Sequence, residues 1–260
     1  MGKIVSIHSF RGGTGKSNTT ANLAAQAALA DKRVGVVDTD IQSPGIHVLF
    51  GLDETKMGKT LNDFLHGKCS IAEVAYSVGE KAADSPGRRR LAGKNLWLFP
   101  SSIRGREITQ ILREGYDVNR LNEGLQAMMK ELSLDYLLID THPGLNEETL
   151  LSIAISDILI IILRPDNQDF QGTAVTVDIA RSLDVPNLLL MVNKAVPGKY
   201  DYDDLKKQIE DTFKAPLAGI LPLNFELADN GSRDLFSLVR PEHEWSKGLR
   251  GVAEAILALK

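Results

Sequence analysis

The stretch that decides the fold of this chain is FRGGTGKS, residues 10–17, which directly follows the apolar run from Ile4 to Ile7. Glycines in such a turn allow backbone angles and close approaches that a side chain would block, so several N–H groups can point at one anion. The helix predicted from Lys16 to Ala30 directs the positive end of its dipole to the same place, and Lys16 adds a full charge. The stretch therefore predicts a phosphate-binding turn between a strand and a helix.

Two residues differ from the common glycine-rich motifs and so identify the type of turn. An ordinary P-loop has a glycine five residues before the Gly-Lys pair, where this chain has Phe10. A dinucleotide-binding turn needs a third glycine where this chain has Asn18. The turn is therefore a variant P-loop.

This variant resembles the deviant Walker A motif of the MinD/ParA ATPases, Lys-Gly-Gly-x-Gly-Lys-Ser/Thr, with Arg11 in place of the family's first lysine. The resemblance implies a P-loop NTPase fold of the SIMIBI type and an ATP-dependent homodimer in which Arg11 touches the partner's ATP and takes part in catalysis. The alternative is that Arg11 folds back onto its own nucleotide or onto a carboxylate of its own switch loops. The resemblance also implies that the nucleotide is bound by Gly12, Gly13, Thr14, Gly15, Lys16, Ser17 and Asn18.

Length and composition set limits on the rest. A chain of 260 residues with 43% hydrophobic content can bury a sizeable core, and we expect one α/β domain over residues 1–260. The net charge of −4 gives no global attraction to nucleic acid or anionic lipid. Cys69 is the only cysteine, which excludes an internal disulfide and a cysteine-based metal site of the chain's own. We expect a cytoplasmic location, with association with the nucleoid as an open alternative.

Strand-length apolar runs alternate with amphipathic stretches of helix length, which predicts a doubly wound α/β fold: a mostly parallel sheet with helices on both faces. The predicted strands are Ile4–Ser9, Val34–Asp38, Leu96–Pro100, Tyr136–Asp140, Ile158–Leu163, Leu188–Asn193 and Leu217–Leu221. The predicted helices are Lys16–Ala30, Glu107–Arg113, Asn119–Glu131, Glu147–Ala154, Phe170–Ser182, Tyr202–Phe213 and His243–Leu259. Gly79 to Lys94 is predicted to be an irregular surface excursion.

Carboxylates follow two of the predicted strands, as a nucleotide site requires. Asp38 and Asp40 end the second strand, and Asp140 ends the fourth. By the family resemblance, Ser17, Asp38 and Asp140 hold Mg²⁺, directly or through water. The same resemblance gives Asp40 the attacking water, while Lys16 stabilises the charge of the transferred phosphoryl group.

His142 departs from the pattern that many family members have after the Walker B aspartate. A solvent-facing side chain is the simpler expectation, and a role in tuning hydrolysis or its pH response is the alternative.

The base is expected to be adenine. By the family resemblance, the amide of Asn193 donates to adenine N7 and accepts from N6, and Pro222 packs beside the base. Guanine-specific sites of the Asn-Lys-x-Asp type need an acid where this chain has Val196.

The surface that the ATP-bound form recognises is left open. Leu249, Val252, Ala253, Ile256 and Leu257 share one face of the last predicted helix, which indicates a core helix more than a membrane anchor. Candidate contacts to non-specific DNA are Arg88, Arg89, Arg90, Arg233, Arg240, Lys247 and Arg250.

The resemblance implies a dimerising ATPase switch that positions an intracellular cargo (a plasmid, a chromosome, a protein compartment or the division machinery). Slow hydrolysis would be stimulated by a cargo adaptor or activating protein. Two alternatives stay open: an ATP-binding regulator with little turnover, and a ligase of the dethiobiotin-synthetase type. The lone Cys69 argues against an iron–sulfur carrier of the family, because those proteins use paired cysteines.

Overall fold

The computed structural model describes residues 2–53, 55–81 and 85–259. The strands within these residues are β1 Lys3–His8, β2 Val34–Asp38, β3 Tyr76–Ser77, β4 Leu96–Phe99, β5 Tyr136–Asp140, β6 Ile158–Leu163, β7 Asn187–Ala195 and β8 Leu217–Pro222. The helices are α1 Lys16–Leu29, α2 Ile46–Leu49, α3 Leu61–Leu65, α4 Val78–Lys81, α5 Gly105–Glu114, α6 Val118–Glu131, α7 Glu147–Ala154, α8 Asn167–Ser182, α9 Tyr202–Phe213, α10 Phe225–Asp229, α11 Phe236–Val239 and α12 Glu244–Ala258.

The strands form one sheet in the order β3-β4-β2-β5-β1-β6-β7-β8. Every neighbouring pair is parallel except β3 with β4. β1 lies between β5 and β6, so the turn that follows it emerges at the middle of the sheet. The predicted doubly wound, mostly parallel α/β fold is confirmed.

Helices cover both faces of the sheet. One face packs Val5 and Ile7 of β1 against α1 and α12, and the other face carries Ile4 and Ile139 against α6. The apolar face of α12 is buried as expected of a core helix: Leu249 and Val252 are fully shielded from solvent. Among the described helices, none combines the length and the apolar composition that a bilayer-spanning segment needs.

The irregular region between Gly79 and Lys94 contains more structure than predicted, and residues 82–84 lie outside the described chain. Arg88 begins a 3₁₀ turn that ends at Leu91. Its side chain is buried, and its guanidinium donates to the carbonyl oxygens of Leu49 at 3.3 Å and Arg233 at 2.9 Å. The expectation that Arg88 contacts DNA is therefore wrong, because two backbone carbonyls in the interior hold its charge.

Candidate nucleotide-binding site

The glycine-rich turn has the backbone geometry that phosphate binding needs. Gly13 and Gly15 adopt positive φ angles of 77° and 93°, a region that side chains disfavour. Gly15 is the N-cap of α1, and no side chain caps the first N–H groups of this helix. These N–H groups, together with the helix dipole, make the turn an anion site.

Lys16 is 8% exposed at the start of α1. Burial lowers the pKa of its ammonium group, while the carboxylates of Asp140 and Asp40 raise it. A buried cation with carboxylates nearby is suited to bind the terminal phosphates of a nucleotide.

The two predicted metal-binding carboxylates lie side by side. Asp38 and Asp140 are register partners at the ends of β2 and β5, and both are shielded from solvent. Asp38 accepts hydrogen bonds from the backbone N–H groups of Asp40 at 3.1 Å and Gly45 at 3.2 Å. Asp140 accepts one from the Thr20 hydroxyl at 3.1 Å.

Burial raises the pKa of Asp140 to about 6, against the opposing effects of hydrogen bonds from Ser17 and Thr20 and of the Lys16 charge. Burial and the Asp140 carboxylate likewise raise the pKa of Asp38 well above its ordinary value. Two buried carboxylates beside a serine hydroxyl form an all-oxygen donor set of the kind that Mg²⁺ prefers, and a divalent cation would relieve their repulsion. Ser17, Asp38 and Asp140 therefore fit the ion.

Asp40 lies in the loop after β2 and accepts hydrogen bonds from Ser43, from its N–H at 3.1 Å and its hydroxyl at 2.9 Å. His142 Nε2 lies 3.9 Å from Asp40 Oδ1, and its Nδ1 is 2.6 Å from the Pro143 carbonyl oxygen. The simpler expectation for His142 is wrong, because its ring packs against the loop of Asp40 and is not directed into solvent.

Arg11 is held within its own chain. Its Nη1 lies 3.4 Å from Asp169 and 4.0 Å from Asp166, both at the N-terminus of α8. Asp169 is buried, with 3% of its side chain exposed. It also accepts two hydrogen bonds from the Arg164 guanidinium, at 2.9 and 3.0 Å, and one from the Arg164 backbone N–H at 2.9 Å. Sequence reasoning found Arg11 but not these partners, which are more than 150 residues away along the chain.

Phe10 packs on the same helix. A Cβ atom at Gly172 of α8 would stand 2.2 Å from the Phe10 ring, so the ring occupies space that only glycine leaves open. Phe10 and Arg11 together attach the first half of the P-loop to α8.

The predicted base-contact residues line a cavity of about 240 Å³ beside the P-loop, which Asn18, Asn193, Pro222 and Trp245 help to form. Asn193 Nδ2 donates to the Thr14 carbonyl oxygen at 2.8 Å, and Lys194 Nζ donates to that of Gly13 at 2.7 Å. These two side chains therefore brace the P-loop.

The amide oxygen of Asn193 already accepts from the Lys194 N–H at 2.9 Å and from the Trp245 indole N–H at 3.4 Å. These two donors fix the orientation of the amide. In this conformation the protein therefore already occupies the amide oxygen that was expected to accept a hydrogen bond from adenine N6. The amide nitrogen of Asn193 can still donate a hydrogen bond to the base.

His8 is a buried residue that sequence reasoning missed. It ends β1 with no exposed surface, and its Nδ1 lies 2.9 Å from the Thr141 hydroxyl, which itself donates to the Ile7 carbonyl oxygen at 2.9 Å. The ring therefore donates from Nδ1 to the residue that follows Asp140. Burial lowers the pKa of His8 to about 3, and Lys16 contributes in the same direction. A polar residue at the end of an apolar strand was the available signal.

The candidate basic residues near the C-terminus lie outside this site and have partners. Arg240 pairs with Glu226 at 3.5 Å, and Lys247 pairs with Glu242 at 3.2 Å. Arg233 donates to the carbonyl oxygens of Asn230 and Asp229, and Arg250 donates to that of Pro241.

A family model described as an AAA domain matches residues 2–185. The chain belongs to this AAA-domain family, in the MinD/ParA group of P-loop ATPases. It is 27% identical over 222 residues to an uncharacterised ATP-binding protein of Methanocaldococcus jannaschii, covering 85% of this chain and 75% of that protein. It is 26% identical over 227 residues to the septum site-determining protein MinD of Synechocystis, covering 85% of this chain and 76% of that protein.

A solved structure of the septum site-determining protein MinD from Pyrococcus horikoshii, in complex with Mg-ADP, superposes with a TM-score of 0.79. It is 20% identical and covers 98% of this chain and 96% of that one. At this level of identity the match shows a shared fold. The predicted MinD/ParA family is confirmed, and the individual roles of the site residues stay predictions.

Proposed function

We propose that this protein is an ATP-dependent switch that dimerises, hydrolyses ATP slowly and positions a cargo in the cytoplasm. The observation that carries the proposal is the meeting of the glycine turn, Lys16 and the buried pair of Asp38 and Asp140 at the middle of one sheet edge. The family and the ATP-binding and Mg-ADP-bound relatives support nucleotide and magnesium binding.

The residues divide the work of phosphoryl transfer. The N–H groups of the turn and Lys16 bind the β- and γ-phosphates, and Asp40 orients the attacking water. Ser17, Asp38 and Asp140 would hold Mg²⁺, which when bound would neutralise charge on the phosphates. No strong general base is among these groups, so turnover is slow unless a partner protein stimulates it.

Arg11 is proposed to reach the nucleotide of the partner subunit. To do so it must leave Asp169, at a distance of 3.4 Å, and Asp166, at 4.0 Å. It exchanges these carboxylates for a phosphate, which a guanidinium group binds in a bidentate manner. We expect Arg11→Ala to lose the ATP-dependent dimer, measured by light scattering with Mg-ATP. The exposed Arg113→Ala is the matched control, and an unchanged dimer fraction in Arg11→Ala would contradict the role in trans.

Turnover is tested with Asp40→Ala. We expect this variant to bind ATP and dimerise but to release phosphate at least about tenfold more slowly, because the water loses its acceptor. Phosphate release is measured with and without DNA. Binding with no release in the native chain would favour the ATP-binding regulator, and release that depends on a carboxylic acid substrate would favour the ligase.

Contact with non-specific DNA is proposed for four side chains near the C-terminus, the exposed Arg233, Arg240 and Lys247 and the partly buried Arg250. Two of them must exchange glutamate partners for phosphate. We expect Arg233→Ala with Arg240→Ala to weaken ATP-dependent DNA binding and to reduce its salt slope by about 2, one for each phosphate that an arginine no longer neutralises. Lys206→Ala with Lys207→Ala is the control for charge, and vesicles of anionic lipid test the membrane alternative.

A further inference from the structure

The cavity beside the P-loop has a tryptophan in its wall that the proposed function does not use. Trp245 lies in the first turn of α12, lines the cavity together with Asn193 and has no exposed surface. Its indole N–H donates to the amide oxygen of Asn193, with 3.4 Å between Nε1 and Oδ1. A buried indole usually finds such a partner. Trp245 therefore contacts a side chain that is expected to contact the base.

Trp245 is held in place by its neighbours. Phe236 packs against its ring nearly edge to face, with the ring centroids 5.8 Å apart and the planes at 82°. The backbone N–H of Trp245 donates to Nδ1 of His243, the N-cap of α12, at 3.0 Å. Since the ring is buried and packed in this way, its N–H has a fixed direction relative to the cavity.

The hydrogen bonds of Asn193 agree with only one orientation of its amide. The oxygen accepts from Trp245 and from the Lys194 N–H, and the nitrogen donates to the Thr14 carbonyl oxygen. Turning the amide over would set its nitrogen against two donors and its oxygen against a carbonyl oxygen. The Lys194 donor belongs to the adjacent residue and moves with Asn193, whereas the Trp245 donor comes from another element. Trp245 therefore ties the amide to the wall of the cavity.

This orientation leaves one hydrogen of the amide nitrogen for a ligand. The nitrogen carries two hydrogens, and among the described residues only the Thr14 carbonyl oxygen accepts from it. It lies against Gly15, where a Cβ atom would stand 2.6 Å from it, and Gly15 also lines the cavity. The free hydrogen is thus placed where the P-loop meets the cavity, and purine N7 is an acceptor that it can serve.

We infer that Trp245 is a positioning residue for the base. It holds the Asn193 amide with its nitrogen toward the ligand, so that the side chain donates to N7 and does not accept from N6. Adenine and guanine both have N7, so this contact strengthens the binding of purine nucleotides without distinguishing between them. The inference rests on the proposed function, since it takes an adenine nucleotide to be the ligand.

The probe is 7-deaza-ADP, in which a carbon replaces N7. Diphosphates are used because neither hydrolysis nor the ATP-dependent dimer then affects the measurement. Dissociation constants of ADP and 7-deaza-ADP with Mg²⁺ are measured by isothermal titration calorimetry. We expect the native chain to bind 7-deaza-ADP about tenfold more weakly than ADP, because the amide donor loses its acceptor. In Asn193→Ala the two constants should be equal.

Trp245→Phe should reduce the preference for ADP from about tenfold to about threefold or less, because the amide is then free to turn. A purely structural role would weaken both nucleotides alike and leave their ratio unchanged. Trp97→Phe is the matched control, since Trp97 lies in β4 under the Arg33 guanidinium, and it should keep the native ratio. If Trp245→Phe does not fold, benzothienylalanine at position 245 keeps the size of the ring and removes only the N–H.

Equal binding of the two diphosphates by the native chain would overturn the inference. So would a native ratio that persists without the indole N–H, or one that persists in Asn193→Ala, since another group would then contact N7. A native chain that binds neither diphosphate contradicts the proposed function, whereas a chain that binds both equally contradicts the role of Trp245 alone.

Discussion

Phe10 stands where an ordinary P-loop has a glycine, and its ring packs on Gly172 of α8. We expect Gly172→Ala to destabilise the protein by about 1–3 kcal/mol, because the new Cβ would stand 2.2 Å from the ring. Chemical denaturation measures this cost. In a Phe10→Gly background, which removes the ring and also the Phe10 Cβ that would stand 2.7 Å from the new atom, the same change should cost much less. An equal cost in both backgrounds would rule out Phe10 as the cause.

Gly251 of α12 provides the control. It is exposed, and a Cβ there meets nothing within 4 Å. Gly251→Ala should therefore stabilise the protein by about 0.5–1 kcal/mol through helix propensity alone. Both substitutions replace glycine with alanine, but Gly172→Ala is expected to lower the free energy of unfolding and Gly251→Ala to raise it.

His8 predicts a pH dependence of stability. Its pKa is about 3 in the folded chain against an ordinary value of 6.5, so the unfolded chain binds more protons between these values. Stability contributed by this residue is therefore lost as pH falls through that window, by about 2 kcal/mol from about pH 7 to about pH 5. His8→Asn keeps a donor toward Thr141 but does not titrate. Denaturation at the two pH values should show a smaller loss in the variant, and an equal loss would contradict a neutral, buried His8.

For single residues, the sequence predicts positions near the site but not the side-chain contacts between distant segments. The sequence predicts that Asn193 lies near the glycine turn, because it ends a predicted strand; in the structure it lies in β7 and contacts that turn. Its hydrogen bonds with Thr14 and Trp245 could not be predicted, because those partners come from other segments of the chain. The same holds for Arg11, whose carboxylate partner lies on α8.

Among the helices and strands, α12 gives a specific prediction about stability. Its apolar face packs on β8 and α1, and Leu249 has no exposed surface. We expect Leu249→Ala to cost about 2–5 kcal/mol of unfolding free energy, as for a large side chain removed from a core. Glu254→Ala on the exposed face of this helix should change it by less than about 0.5 kcal/mol. Similar small effects for both would indicate that α12 is not a core helix.

The elements that could be predicted are those with a clear period or a continuous apolar run. Every predicted strand is present, since each reads as a largely apolar segment and most are buried on both faces. β3 has two residues and gives no such signal. Helices of four or five residues, such as α2 and α3, are too short to show a helical period.

At the scale of the whole molecule, the nucleotide should stabilise the folded chain. Mg-ATP at about 100 times its dissociation constant should add about 2.7 kcal/mol, or roughly 5–10 °C in Tm for a chain of this size. Lys16→Ala should lose most of this shift, and Mg-GTP should give a smaller one. A Tm that responds equally to ATP and GTP would contradict adenine selectivity.

At the scale of the sheet, the grouping of the candidate site residues could be predicted, because parallel strands end at one edge of the sheet. Residues from β1, β2, β5 and β7 meet there only in the observed strand order, with β1 at the centre. Contacts between the loops at that edge depend on side-chain packing. The contact of His142 with the Asp40 loop therefore could not be predicted from the spacing of the residues in the sequence.

The seating of Phe10 on Gly172 also bears on how this protein can diverge. Residues 10 and 172 are far apart in the sequence, yet a substitution at either position alone would disturb the contact between them. A smaller residue at the first position would uncover Gly172, and any side chain at the second would displace the ring. Descendants of this sequence should therefore exchange the two positions together, and a set of related sequences in which they vary independently would show that the P-loop has found another support.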